Sequence, residues 1–237
     1  MPGALQKRVV EPEWLDTLPP EDPRAMRSRR DLRRVNAWMG QSGIILRLLR
    51  RSVGQRAPQS MIELGSGDGA FMLRLARSLS PRWPGVQVTL IDRQEVVSPA
   101  TVAAIEGLGW QEQIVTADVF DALEGLESGA DAILANLVLH HFADPALLRL
   151  FELAANLAPC FVACEPRRSA LALTGSRLLW AIGCNGVTRH DAPASVRAGF
   201  AGRELSMLWP QQGWSLQERG AGLFTHSFLA CAGAGRR

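Results

Sequence analysis

The chain has no tyrosine and a single lysine, Lys7. These two absences exclude several kinds of chemistry. No phenolic side chain can serve as nucleophile or acid, and no interior lysine can form a Schiff base. No G-x-x-x-x-G-K-[ST] run exists to cradle a triphosphate. Cysteine is also scarce: Cys160, Cys164, Cys184 and Cys231 show no C-x-x-C spacing. A zinc ribbon or thioredoxin-type motif is therefore not expected, no metal is predicted, and reduced thiols suggest a cytoplasmic setting. The longest apolar stretch, 170–183, is broken by Arg177 and is too short to span a bilayer, and the amino end lacks the apolar core of a signal peptide.

What is present is close to a globular average. The 237 residues are 47% hydrophobic and 21% charged, and 26 basic against 23 acidic side chains leave a formal net charge of +3. Since one basic residue is lysine, the other 25 are arginines. This length suits one large domain or one domain with appended helices.

Residues 1–23 hold five prolines and no periodicity, which predicts a flexible or draped tail. Leu32, Val35 and Met39 recur at helical spacing, glycines at 40 and 43 mark a break, and Ile44, Ile45, Leu48 and Leu49 form a second stripe. A helical cap is expected over 24–54. Beyond it, strand-like and helix-like segments alternate: strands at 60–64, 86–91, 113–116, 130–135 and 160–164, with helices such as 70–79 and 145–157 between them. Continuous apolar strands with helical crossovers predict a parallel sheet covered on both faces. Runs 214–219 and 225–231, joined through glycines, predict a terminal β-hairpin. The fold class expected is thus α/β, a Rossmann-like, seven-stranded, mostly parallel sheet ending in an antiparallel hairpin, with a helical insertion at about 169–210 inside a domain running from 55 to 237.

The most informative segment is Glu63-Leu64-Gly65-Ser66-Gly67-Asp68-Gly69-Ala70, after the first strand and before a helix. Small residues there let a ligand reach backbone amides at the helix start. The spacing also satisfies the dinucleotide pattern, but two features favour another reading. Glu63 stands two residues before the first glycine, where its carboxylate can receive an amino-acid-like ammonium. Asp118 adds an acid after the third strand, so that Glu63, Asp92 and Asp118 occupy three successive strand ends. Singly each fits a cap or turn. In order they resemble the pattern of class I S-adenosylmethionine-dependent methyltransferases, over about residues 55 to 232.

That resemblance implies S-adenosylmethionine as cofactor. Gly65 and Gly67 would line its methionine and ribose part, Asp92 would accept the ribose hydroxyls, and Asp118 would accept the adenine amino group with the Val119 amide on the ring. Arg93 would flank adenine, and Asn136 would lie near the amino end. The lysine shortage excludes the Lys/Asp/Lys/Glu tetrad of ribose methylation, and Asn136-Leu137-Val138-Leu139 is not the Pro-Pro box of base methylation. Leu139-His140-His141-Phe142 followed by Asp144-Pro145 is instead similar to the small-molecule branch, including quinone-biosynthesis and polyketide-associated bacterial methyltransferases. The implied activity is methyl transfer to a hydroxyl on a small aromatic or polyketide-like acceptor. His140 and His141 are the candidate bases, and Trp38, Met39, Trp180 and His190 the candidate acceptor wall. The alternatives are an RNA or protein methyltransferase guided by the arginines between 24 and 34, and a non-catalytic cofactor-binding subunit. No aromatic residue interleaves those arginines, so a nucleic-acid partner is not expected.

Overall fold

The computed structural model describes residues 5–53 and 57–233. Seven strands form one sheet: β1 (Ser60–Leu64), β2 (Gln87–Asp92), β3 (Gln111–Thr116), β4 (Ala132–Asn136), β5 (Cys160–Pro166), β6 (Trp214–Ala221) and β7 (Thr225–Ala232). Their order is β3-β2-β1-β4-β5-β7-β6. Strands β1 to β5 are parallel, while β7 runs antiparallel to both β5 and β6. Because the chain winds outward in both directions from β1 and β4, the crevice at their carboxyl ends is the topological switch point where ligands settle in such sheets.

Ten α-helices surround the sheet among the described residues: α1 (Trp14–Thr17), α2 (Pro23–Trp38), α3 (Gln41–Ser52), α4 (Ala70–Leu79), α5 (Pro99–Glu106), α6 (Val119–Glu124), α7 (Asp144–Leu157), α8 (Ala170–Arg177), α9 (Gly186–Ala198) and α10 (Glu204–Leu208). Strand alternation sends neighbouring side chains to opposite layers. Cys160, Val162 and Cys164 of β5 join the layer under α3 and α4, where Ile45, Leu49, Met72 and Leu75 are fully buried. Phe161 and Ala163 join the opposite layer with Leu147, Leu150 and Phe151 of α7. There the rings of Phe151, Phe161 and Trp209 lie 5.0–5.5 Å apart.

The expected elements and the observed ones coincide at 60–64 and 70–79 and differ elsewhere by one or two residues at most ends. Gly40, at φ 68°, separates α2 from α3 at the anticipated break. The Ile44, Ile45, Leu48 and Leu49 stripe is core. Leu32 and Val35 of α2, and Met39 just past its end, instead face a cavity. The insertion between β5 and β6 supplies α8, α9 and α10.

Residues 8–22 cross the carboxyl edge of the sheet. The Arg8 guanidinium donates to Ala198 O (2.9 Å), Phe142 O (2.9 Å) and Asp144 (2.6 Å), and lies 4.2 Å over the Phe200 ring. Farther along, both Asp191 carboxylate oxygens accept the amides of Trp14 and Leu15 at 2.9 and 3.0 Å. Trp14 stacks on His190 with ring centroids 3.7 Å apart. The strap thus bridges the β4 end and α9.

Candidate active site

The switch point opens into a cavity of about 780 Å³. One side is the glycine turn after β1. Gly65, Gly67 and Gly69 all have positive φ, at 64°, 54° and 72°, a region that favours glycine. A methyl group on Gly65 would fall 2.5 Å from Val138 Cγ2, so bare backbone is needed there for β1 and the β4 loop to approach. Asp92, ending β2, accepts the Gly67 amide at 2.7 Å and the Gln94 amide at 2.9 Å. The same carboxylate lines the cavity with Arg93, Asp118 and Val119. Asp118 caps α6 by accepting the Phe120 amide at 3.0 Å.

Beneath the turn, three buried polar atoms have no hydrogen-bond partner among the described residues: Glu63 Oε2, Ser66 Oγ and Asn136 Oδ1. Burial, followed by the repulsion of Asp92 and Asp68, raises the Glu63 carboxyl well above the usual carboxylate range. A cation brought beside it would reverse that balance, since an opposite charge stabilises the carboxylate. Bare glycine backbone, two orphaned acceptors suited to an ammonium and two acids at the next strand ends together fit S-adenosylmethionine.

The other side is built around His140. Beyond β4 the chain turns sharply: Leu137 takes φ 59°, rare for a branched side chain, and a 3-10 turn spans Leu139–His141. Glu165 on β5, wholly buried, holds this turn. Its carboxylate accepts the amides of Val138 (3.0 Å), Leu139 (2.9 Å) and His140 (3.3 Å), and lies 2.7 Å from His140 Nδ1. With Nδ1 so engaged, the other ring nitrogen, Nε2, faces Glu13 Oε1 of the strap at 3.5 Å. Burial of His140 opposes its charged form, but hydrogen bonds and attraction from Glu13 and Glu165 outweigh it and raise the imidazole to about 9. Glu13 is also buried and accepts the Ser195 hydroxyl; despite desolvation, His140, His141 and Ser195 pull its carboxyl below the usual value. Next to it, His141 Nδ1 lies 3.1 Å from Asp16, which also faces Arg93 at 3.9 Å.

Of the expected site residues, Gly65, Asp92, Arg93, Asp118, Val119, His140, His141, Trp38 and Met39 line the cavity. Glu63 and Asn136 sit buried behind it, and Gly67 is tied to Asp92. Trp180 and His190 are not on its wall. Trp180 lies on an exposed 3-10 turn, Leu179–Ile182, and is 59% exposed; His190 turns outward to Trp14 and Asp191. In their place stand Ser28, Thr188, Ser195, Leu179 and Phe224. Sequence reasoning missed Glu13, Asp16 and Glu165. Glu165 carried one signal, an acid inside the apolar run of β5, whereas the two strap acids had none.

No family model matches the chain. A curated relative, strychnine O-methyltransferase from Strychnos nux-vomica, is 27% identical over 100 residues, 42% of this chain and 24% of that protein; the chain thus matches about a quarter of the relative's length. Among solved structures, the plantazolicin methyltransferase BamL, with a triazolic desmethylPZN analogue and S-adenosylhomocysteine, superposes at TM-score 0.65 with 14% identity, covering 88% of this chain and 90% of that one. An O-methyltransferase family protein from Burkholderia thailandensis gives TM-score 0.62 at 18% identity, over 91% of this chain and 62% of that one. The pyocyanin biosynthetic protein PhzM gives 0.58 at 19%, over 92% and 60%. The fold is that of class I S-adenosylmethionine-dependent methyltransferases.

Proposed function

We propose that the protein transfers a methyl group from S-adenosylmethionine to a hydroxyl oxygen of a small aromatic or polyketide-like acceptor, with His140 as general base. The observation that carries the reading is His140, held from behind by buried Glu165, on the wall of the same cavity that the glycine turn and Asp92 line. The similarity to O-methyltransferases supports it.

Glu63 and Asn136 are assigned to the cofactor's amino end, Asp92 to its ribose, Asp118 with the Val119 amide to its adenine, and Arg93 to the ring's flank. When bound, S-adenosylmethionine supplies a methyl group on a sulfonium. The chain's own part is positioning, which can contribute roughly 7–11 kcal/mol, together with removal of one proton, worth about 10²- to 10⁴-fold. His140 Nε2 accepts the acceptor's hydroxyl proton while Glu165 holds the ring through Nδ1 and stabilises the imidazolium that forms. Trp38, Met39, Leu32 and Val35 offer an apolar wall to the ring system. His141, tied to Asp16, is assigned to holding the strap.

Three of the six arginines of α2 are drawn into close internal pairs: Arg33 on Asp68 at 2.6 Å, Arg24 on Asp22 at 2.7 Å, and Arg29 on Gln94 at 2.7 Å. Such pairing favours a small-molecule acceptor over RNA. No helix among the described residues is long and apolar enough to cross a membrane; a cytoplasmic location belongs to the same proposal. A labelled-methyl screen over phenols, quinols and bulk RNA, with S-adenosylhomocysteine calorimetry beside it, tests the reading. Label in a phenol or quinol product is expected. Absence of binding heat would remove the cofactor assignment, and label in RNA alone would replace the acceptor.

A further inference from the structure

Resting on the acceptor reading above, we infer that the acceptor carries a second hydrogen-bond donor beside the hydroxyl that is methylated, an ortho-diphenol or ortho-aminophenol, and that Glu13 is the residue that selects it. Three polar atoms, one each from Glu13, His140 and His141, converge within 4.8 Å of one another. Glu165 occupies His140 Nδ1, so a hydroxyl giving up its proton can address only Nε2. That nitrogen now faces Glu13 Oε1 at 3.5 Å.

A hydroxyl has one hydrogen. His140 accepts it only as a neutral imidazole, in which Nε2 has no proton to give Glu13, so the carboxylate keeps only the Ser195 hydroxyl as donor. Glu13 is 9% exposed, so water cannot readily make up the loss, and a buried charge without its partner is costly. An acceptor with a second O–H or N–H on the neighbouring carbon restores the missing bond, because two adjacent donors match two acceptors 3.5 Å apart. A monophenol leaves the carboxylate short of a partner. The other acids lining the cavity are engaged: Glu11 by Arg197, Asp16 by His141 and Arg93, Asp92 and Asp118 by backbone amides on the cofactor side, and Asp191 by the Trp14 and Leu15 amides, while Glu165 behind His140 holds the 3-10 turn. Glu13 is thus the acid left to read the acceptor.

The test measures calorimetric binding to the S-adenosylhomocysteine complex of the full chain, with and without EDTA, for daphnetin against umbelliferone and for catechol against guaiacol. Each pair differs in the second donor. The ortho-diphenols should bind roughly 10²-fold or more tightly than their partners, the direction in which sites built to hydrogen-bond a hydroxyl reject the analogue lacking it. Glu13→Ala should reduce the preference to within about threefold with S-adenosylhomocysteine affinity unchanged, and Ser195→Ala should retain it. Equal binding within the wild-type pairs, or a preference that survives Glu13→Ala, overturns the inference and leaves the methyl-transfer reading standing. Loss of the preference in EDTA also overturns it, since a divalent cation and not the acceptor would then be the partner of Glu13. If none of the four compounds binds, the ortho-diphenol assignment is overturned, and the labelled-methyl screen decides the acceptor class.

Discussion

At the scale of single residues the site separates binding from proton transfer. Asp92→Ala is expected to weaken S-adenosylhomocysteine binding by about 1.5–3 kcal/mol, the size of lost hydrogen bonds to a charged group, as read by calorimetry. Part of the loss reflects the loosened Gly67 amide, which Asp92 also holds. His140→Ala should leave that affinity intact and lower turnover by about 10²- to 10⁴-fold, while His141→Ala should have the smaller effect. The pH dependence follows from the charges facing His140, namely Glu13, Glu165 and the His141–Asp16 pair. A base must be neutral to accept a proton, so kcat/KM in the wild type should fall as pH drops below about 9. Glu13→Gln removes one of the carboxylates that stabilise the imidazolium and should move this limb to lower pH; a limb that stays in place would separate the profile from His140.

Elements explain what the sequence made visible and what it did not. The glycine turn was legible because β1 and α4 each carry a complete local pattern and the turn between them demands backbone without side chains. Gly65→Ala is expected to abolish measurable cofactor binding while the protein stays folded by far-ultraviolet dichroism, because the methyl would press on Val138 in a backbone conformation alanine resists. The acids at 63, 92 and 118 were readable for the same reason: each sits at a strand end whose place is locally encoded. Glu13 and Asp16 were not readable, since their importance arises from a partner more than 120 residues away in sequence, and nothing in a proline-rich aperiodic stretch reports that. Trp180 and His190 failed as wall residues because composition marks a helical insertion without saying which face of it turns inward. Glu165 reads as strand by period and is in fact the acid that organises the 3-10 turn.

At the scale of the whole molecule, the two apolar layers on a seven-stranded sheet carry the fold, and a charged network is sealed at one edge of it. That network links stability to pH. The folded-state value of His140, about 9, lies above its ordinary value of 6.5, so its ion pairs contribute in full below pH 6.5 and are lost as pH rises through about 9. Denaturant unfolding should therefore show stability declining over that interval. Glu13→Gln should flatten the decline, and an unchanged slope would mean that the pair contributes no linkage.

The strap that supplies Glu13 also forms one wall of the cavity, fastened at Arg8, at the Trp14 and Leu15 amides and at Asp16. Lifting of this segment, whose drag is set by the solvent, is expected to limit the exchange of what the cavity holds. Turnover should slow in proportion to added viscogen, a first product should appear in a burst before the steady rate sets in, and loosening the Arg8 clasp should quicken release even where it weakens the grip on what is bound.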